Sequence, residues 1–304
     1  MSVKPKTLKR KKLPHWLPGL LVLLPSIGLI FYFVYVLLFR NFLLSLTNRK
    51  GINSTGEPIG LANYGELIIE DRFQNSMQNL LIFTVAFIGG TMLIGLIMAV
   101  LLERGIKGEG FFRSAFIFPM ALSFIASGLV WGFLMNPNVD DNAGGLNWLL
   151  KTVGLGALQN PWWQTNTWGM SALALPAIWM FSGYIMALFL AGFRGIPDDV
   201  REAARIDGAN EFQIYTKVLF PLLGPAALSA LVILGHISVK VFDLVVAVSF
   251  KQYRTETPAV YMWVTTFDAT NFGKGAAIAS ILLIVTAIIV VPYLVSVYKG
   301  ENRK

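Results

Sequence analysis

The sequence predicts an all-α protein that crosses a membrane six times, and three observations carry that prediction. The 304 residues are 55% hydrophobic and only 14% charged, with a mean hydropathy of +0.61. A soluble domain carries about 25% charged residues, so much of this surface faces something other than water. Six runs come close to or exceed the roughly 20 apolar residues that a bilayer-crossing helix needs. The 25 Lys and Arg residues are shared unequally between the segments that join those runs.

The elements follow in order. Residues 1–16 form a basic tail containing MSVKPKTLKRKK. A tail of this kind also heads a signal peptide, but the apolar run that follows is too long and lacks an A-x-A-like cleavage site, so it reads as a retained helix. The spans are expected at about 17–39, 80–102, 114–135, 168–193, 222–250 and 275–298, within a single transmembrane domain over 1–304. Glycines 89, 90 and 95 in the second span read as close-packing positions. The polar segment 40–79 holds the turn-rich GINSTGEPIG. Segment 136–167 leads into a tryptophan group, Trp148, Trp162, Trp163 and Trp168. That group reads as an interfacial aromatic belt, or as part of a short external helix that docks a partner.

Charge sets the expected orientation. With the N-terminus inside, 16 Lys and Arg fall in inside segments and 8 in outside segments, while Lys240 lies in a span. The bias places both termini in the cytoplasm. The net charge of +8 therefore serves topology, and no nucleic-acid partner is expected. There are no cysteines and only two histidines, His15 and His236, so thiolate chemistry is excluded and no metal site is expected. No phosphate-binding G-x-x-x-x-G-K-[ST] loop occurs, since Gly273-Lys274 is followed by Gly275 and lacks the upstream glycine.

Segment 194–221 is the polar exception between spans four and five. Asp199 reads as a helix cap, with Glu202 three residues on closing a capping box. Asp207-Gly208 reads as a break, and Asn210 with Gln213 as a second N-cap. Phe212, Tyr215, Val218 and Leu219 make one apolar face at helical spacing, and Pro221 closes the element. Two helices around a glycine turn result, with Ala203 and Ala204 offering a small-residue face to a neighbour. The acids lack any accompanying nucleophile or histidine, so no catalytic residue is expected.

These residues resemble the EAA signature of the permease subunits of binding-protein-dependent ABC importers: E-A-A, three residues, G, nine residues, I-x-L-P. Glu202-Ala203-Ala204, Gly208 and Pro221 stand at the matching positions, with Val218 for Ile and Phe220 for Leu. The longer form EAAxxDGA is met by Asp207 and Ala209, and FRGIPDDVREAA and LFPLLGP are similar to the maltose-type carbohydrate-uptake permeases. The resemblance extends from the first span to the end. It implies a type I importer fold in a bacterial cytoplasmic (inner) membrane, and a coupling helix that enters a cleft on an ATPase, with Glu202, Ala203, Ala204, Arg205, Asp207, Gly208 and Pro221 as coupling residues. It also implies a second permease subunit, an ATPase dimer that carries ATP and Mg, an extracytoplasmic solute-binding protein, and a sugar or sugar-containing compatible solute as cargo. No cofactor is expected on this chain. The alternative class is a self-contained secondary transporter or a membrane-bound enzyme.

Candidates for the solute path lie in the spans. His236, Lys240 and Asp243 recur at i, i+4 and i+7, which puts them on one helical face. They read either as a structural Lys240–Asp243 pair with a snorkelling lysine, or as a polar wall of the cavity. Trp179, Ser182 and Tyr184 offer aromatic and hydroxyl lining, or simple packing around Gly183. Ser123, Ser127 and Trp131, at four-residue spacing, offer lining or interhelical hydrogen bonds.

Overall fold

The computed structural model describes residues 16–165 and 169–301; the basic tail, Trp168 and the last three residues lie outside them. Among the described residues no strand forms, and β pairing is limited to two isolated bridges, Thr47 with Pro58 and Lys50 with Asn271. Four helices among the described residues are long and apolar enough to cross a membrane, or up to six if each of two bent pairs is one span.

The first span, α1, runs through Trp16–Ile30, a π-helical stretch Phe31–Val36 and Leu37–Ser45. It is longer than the expected 17–39, and most of its described side chains are exposed. Asn41 ties it to the last helix, donating from Nδ2 to Ala276 O and Ser280 Oγ, each at 3.1 Å. After a short helix α2 (Ala62–Ile69), helix α3 (Asp71–Glu103) begins well before the expected residue 80 and runs 33 residues. At 1.5 Å per residue that is about 50 Å.

Helix α3 packs along α7 (Gly169–Arg194). A Cβ on Gly90 would strike Ile178, and one on Gly95 would strike Ile185 and Met186, so both glycines permit the approach, whereas Gly89 faces open space. Phe83, Phe87, Met180, Ile185, Met186 and Phe193 are buried in the resulting core. Phe83, Phe87, Phe181 and Phe124 form a continuous aromatic chain with ring centroids 5.7–5.9 Å apart. Lipid is as apolar as these side chains, so close packing is what holds the pair together.

Two expected spans are broken. The third divides into α4 (Glu109–Ile117, with a 3₁₀ turn Phe118–Ala121) and α5 (Phe124–Leu134), bent by 97°. Pro119 supplies no N–H, and Leu122 and Ser123 are extended, with ψ of 148° and 140°. Gly183 of α7 lies so close to the Phe116 carbonyl that any Cβ there would collide with backbone. Ser123 thus sits at the break, which corrects the expected spacing with Ser127 and Trp131 along one helix.

The fifth span is α10 (Gly224–Val239) and α11 (Asp243–Ser249), separated by Lys240–Phe242. Phe242 has φ −131° and ψ −64°, outside the helical region, and the Val241 carbonyl accepts the Thr257 hydroxyl at 3.0 Å. Lys240 therefore ends one helix and Asp243 starts the next, each with the charge that suits its helix terminus. The single helical face expected for His236, Lys240 and Asp243 does not exist. A short helix α12 (Pro258–Trp263), prolonged by π-helical Val264–Asp268, leads to α13 (Phe272–Glu301).

The tryptophan belt is also corrected. Trp163 is buried in the core and Trp162 packs against it, while Trp148, on the short helix α6 (Gly145–Thr152), is 57% exposed. Ion pairs gather at the two ends of α3. At its start, Arg72 meets Glu256 at 2.7 Å, and nearby Lys274 bridges Glu66 and Glu70 at 2.8 and 3.1 Å. At its finish, Glu103 meets Arg201 at 2.6 Å, and Arg194 meets Glu109 at 2.6 Å. The segments expected on opposite sides thus collect at opposite ends of one helix.

Candidate functional site

Segment 194–222 folds as two helices around a glycine turn. The first, α8 (Asp198–Ile206), carries Asp198 and Asp199 in its first turn, where acids suit the positive end of the helix dipole. Pro197 is the N-cap residue and no side chain caps this end, so the Asp199–Glu202 capping box is not formed. Gly208 has φ +82°, the left-handed region that glycine enters without steric cost. Asn210 and Gln213 then form the expected capping box, with both reciprocal bonds at 2.9 Å.

The second helix, α9, runs as Glu211–Gln213, a π-helical stretch Ile214–Leu219 and Phe220–Leu222. Pro221 lies within this run and does not close it; the chain bends by 63° before α10 instead. Proline is tolerated here because it falls at the start of the last α-helical segment. Tyr215 and Leu219 are buried and Val218 is half-buried, but Phe212 is 76% exposed, which removes it from the expected apolar face. The π-helical spacing brings Ile214 into the buried set in its place.

Six of the seven predicted loop residues are exposed: Glu202, Ala203, Arg205, Asp207, Gly208 and Pro221; Ala204 is half-buried against the core. Arg205 braces the turn by an ion pair to Glu211 at 3.0 Å. Ala204, Asp207, Gly208, Gln213 and Lys217 line a shallow groove of about 340 Å³. Ile206 is 86% exposed beside it. This is an ordered polar element with unburied apolar tips, held on the rim of the helical bundle.

The broken fifth span borders a cavity of about 280 Å³. His236, Lys240 and Asp243 reach its wall from both sides of the break, opposite Phe83, Phe87 and Phe124. Lys240 Nζ donates to His236 Nε2 at 2.8 Å, in place of the expected Lys240–Asp243 pair. His236 Nδ1 is buried and has no hydrogen-bond partner among the described residues. Phe242, His236 and Lys240 also border a second cavity of about 550 Å³ toward Met262, Trp263 and Leu283. Aromatic faces with a few polar groups can stack a ring while binding its hydroxyls.

The other span candidates lie apart from that wall. Trp131 and Trp179 meet each other with ring centroids 6.0 Å apart. The Ser182 hydroxyl donates to the Trp179 carbonyl at 3.4 Å. Ser127 is buried with its hydroxyl unpartnered, and Tyr184 packs half-buried against the core.

Two groups escaped the sequence reading. The phenylalanines of the cavity wall carry no signal that separates them from ordinary core. The Glu103 carboxylate pairs with the Arg201 guanidinium and, at 2.5 Å, accepts the Tyr215 hydroxyl. Nothing in the local pattern relates Glu103 to partners about a hundred residues away.

The chain is similar to known proteins. Residues 91–299 match the family described as binding-protein-dependent transport system inner membrane component. A probable ABC transporter permease protein of Pyrococcus horikoshii is 37% identical over 93% of this chain and 97% of its own. A xylose/arabinose import permease protein of Haloferax volcanii is 33% identical over 94% of this chain and 87% of its own. Among solved structures, a chain of a bacterial alginate ABC transporter, in complex with an alginate pentasaccharide-bound periplasmic protein, superposes with a TM-score of 0.73. It is 20% identical and covers 91% of this chain and 92% of its own.

Proposed function

The chain belongs to the family of binding-protein-dependent transport system inner membrane components, and on that premise we propose that it is a permease subunit of an ATP-driven importer of a sugar or sugar-containing compatible solute. The observation that carries the reading is loop 194–222. Its E-A-A and glycine positions coincide with an exposed helix pair, the second helix capped by Asn210 and Gln213, whose turn depends on Gly208. An element so ordered at the rim, with Ile206 and Phe212 exposed, fits a docking helix for a separate ATPase subunit. ATP and Mg belong to that subunit, and this chain is no enzyme.

The cargo class is supported by the xylose/arabinose permease relative and by the aromatic and polar wall at the fifth-span break. His236, Lys240 and Asp243 are the residues placed to meet a hydroxylated solute there. The working assembly comprises this chain, a second permease, an ATPase dimer and an external binding protein, with both termini of this chain cytoplasmic. Transport follows from a shift between outward- and inward-open states that ATP binding and the loaded binding protein both bias.

Purification of the chain from its native membrane tests the reading. We expect an ATPase and a second permease to accompany it, and ATP turnover to rise when substrate-loaded binding protein is added. Transport by this chain alone in liposomes, driven by an ion gradient, would overturn it.

A further inference from the structure

We propose that α3 is a rigid strut that carries displacement from loop 194–222 to the wall of the solute cavity, pinned by Glu103 at one end and by Arg72 and Asn79 at the other. The proposal rests on the coupling role assigned to the loop above. The strut itself follows from continuity, attachment and destination.

Continuity sets α3 apart from the broken third and fifth spans. It runs 33 residues without interruption, while the third span is broken at 122–123 and the fifth at 240–242. An unbroken ladder of backbone hydrogen bonds resists bending, whereas a break absorbs it. Helix α3 can therefore move as one piece, as can the unbroken α7 that packs along it and reaches the cavity through Ala177.

Attachment at the loop end falls on one carboxylate. Glu103 forms an ion pair with Arg201 of α8 at 2.6 Å and accepts the Tyr215 hydroxyl of α9 at 2.5 Å, so both halves of the helix pair are fastened to the last residue of α3. The Arg201 and Glu103 side chains are 17% and 13% exposed, which shelters the pair from solvent screening. Arg104 lies over the Tyr215 ring at 5.8 Å.

Attachment at the other end is equally specific. Arg72 donates Nε and Nη2 to the two oxygens of Glu256 at 2.7 and 2.8 Å, and the Glu256 side chain is fully buried. Two turns along α3, Asn79 Nδ2 donates to the carbonyls of Arg254 and Glu256, both at 3.0 Å. A two-pronged guanidinium–carboxylate pair fixes orientation as well as distance.

The destination is the cavity. Thr257 follows Glu256 directly, and its hydroxyl donates to the Val241 carbonyl inside the fifth-span break. Val241 is itself part of the cavity wall. A shift of α3 along its axis thus moves residues 254–257 and, through Thr257, the break between Lys240 and Asp243. Coupling by a discrete chain of contacts has to be shown energetically, and mutual proximity is not enough.

This chain has no cysteine, so in a complex whose partner subunits are made cysteine-free, labels report from chosen positions alone. Two spin labels are placed in the complete complex, at Tyr253→Cys beside the pinned segment and at Val153→Cys, both exposed positions. Their separation is measured without nucleotide and with trapped ATP. We expect a change on trapping in the wild-type background. Glu103→Gln should lose most of that change with the ATPase still attached, and the exchange Glu103→Arg with Arg201→Glu should restore it. Glu256→Gln should lose it with ATP turnover retained. An undiminished change in Glu103→Gln, or no change in the wild-type background, would overturn the strut. So would loss of the change only together with loss of the ATPase, which reduces Glu103 to a docking support. A wild-type complex that carries no ATPase overturns the permease reading, and the strut falls with it.

Discussion

Replacement of Gly208 tests the coupling loop at its most demanding point. The residue has φ +82°, and a Cβ built on it meets nothing within 4 Å. Substitution therefore changes backbone energy and leaves packing untouched. An L-residue held in the left-handed region costs about 1–2 kcal/mol, so Gly208→Ala should weaken ATPase attachment roughly 5- to 30-fold. Asn tolerates this region better than Ala, and β-branched Val worse, which predicts the order Gly, Asn, Ala, Val. Proline has φ fixed near about −65° and also deletes the N–H that Gly208 donates to Arg205 O at 3.0 Å. Gly208→Pro should abolish uptake while the chain still inserts. The assay is titration of the ATPase onto permease in nanodiscs, with binding-protein-stimulated ATP turnover alongside. Equal affinity for Gly208→Ala and wild type, or an order unrelated to left-handed propensity, would refute the reasoning.

Other expected outcomes follow from contacts already described. Gly183→Ala drives a Cβ into the Phe116 backbone and should cost about 1–3 kcal/mol, lowering the melting temperature of the purified complex, while Gly89→Ala, facing open space, should leave it unchanged. Asn147 is fully buried, and its amide bridges the carbonyls of Asn136, Asn138 and Asn160. Asn147→Ala orphans those groups and should cost about 2–4 kcal/mol, seen as faster proteolysis within residues 136–165. His236→Ala and Lys240→Ala should alter solute uptake with subunit assembly preserved; normal transport of every substrate by both variants would remove the cavity assignment. Glu66 is held below its ordinary carboxyl value by its bond to Lys274. Its contribution is complete above that value and lost as pH falls through the lowered one, so melting curves of wild type and Glu66→Gln should converge once pH falls below that lowered value. Glu66 is mostly exposed, which keeps the effect under about 1 kcal/mol.

The architecture was legible where it depends on local pattern. Apolar runs marked α1, α3, α7 and α13, and Asn210 with Gln213 announced the second cap. The breaks were not legible, because they depend on distant partners. Thr257 takes the Val241 carbonyl from sixteen residues away, and the Phe116 backbone nests on Gly183. Hydropathy over 222–250 reads as one span because Lys240 and Asp243 are few among apolar neighbours. The cavity candidates were found by their cost in a membrane, but their arrangement came from the interruption and not from a helical face. Glu103 and Glu256 looked like ordinary charges at segment ends until their partners were placed.

Helix α1 invites a different way of thinking about how the chain is made. None of its residues enters the hydrophobic core clusters among the described residues. In a bilayer the surroundings of α1 are as apolar as α1 itself, so expulsion from water explains its insertion but not its place beside α13. Asn41 supplies that place, through bonds to Ala276 and Ser280 near the opposite end of the sequence. The bond to Ala276 joins residues 235 apart along the chain, so α1 enters the bilayer well before the helix it is tied to has been made.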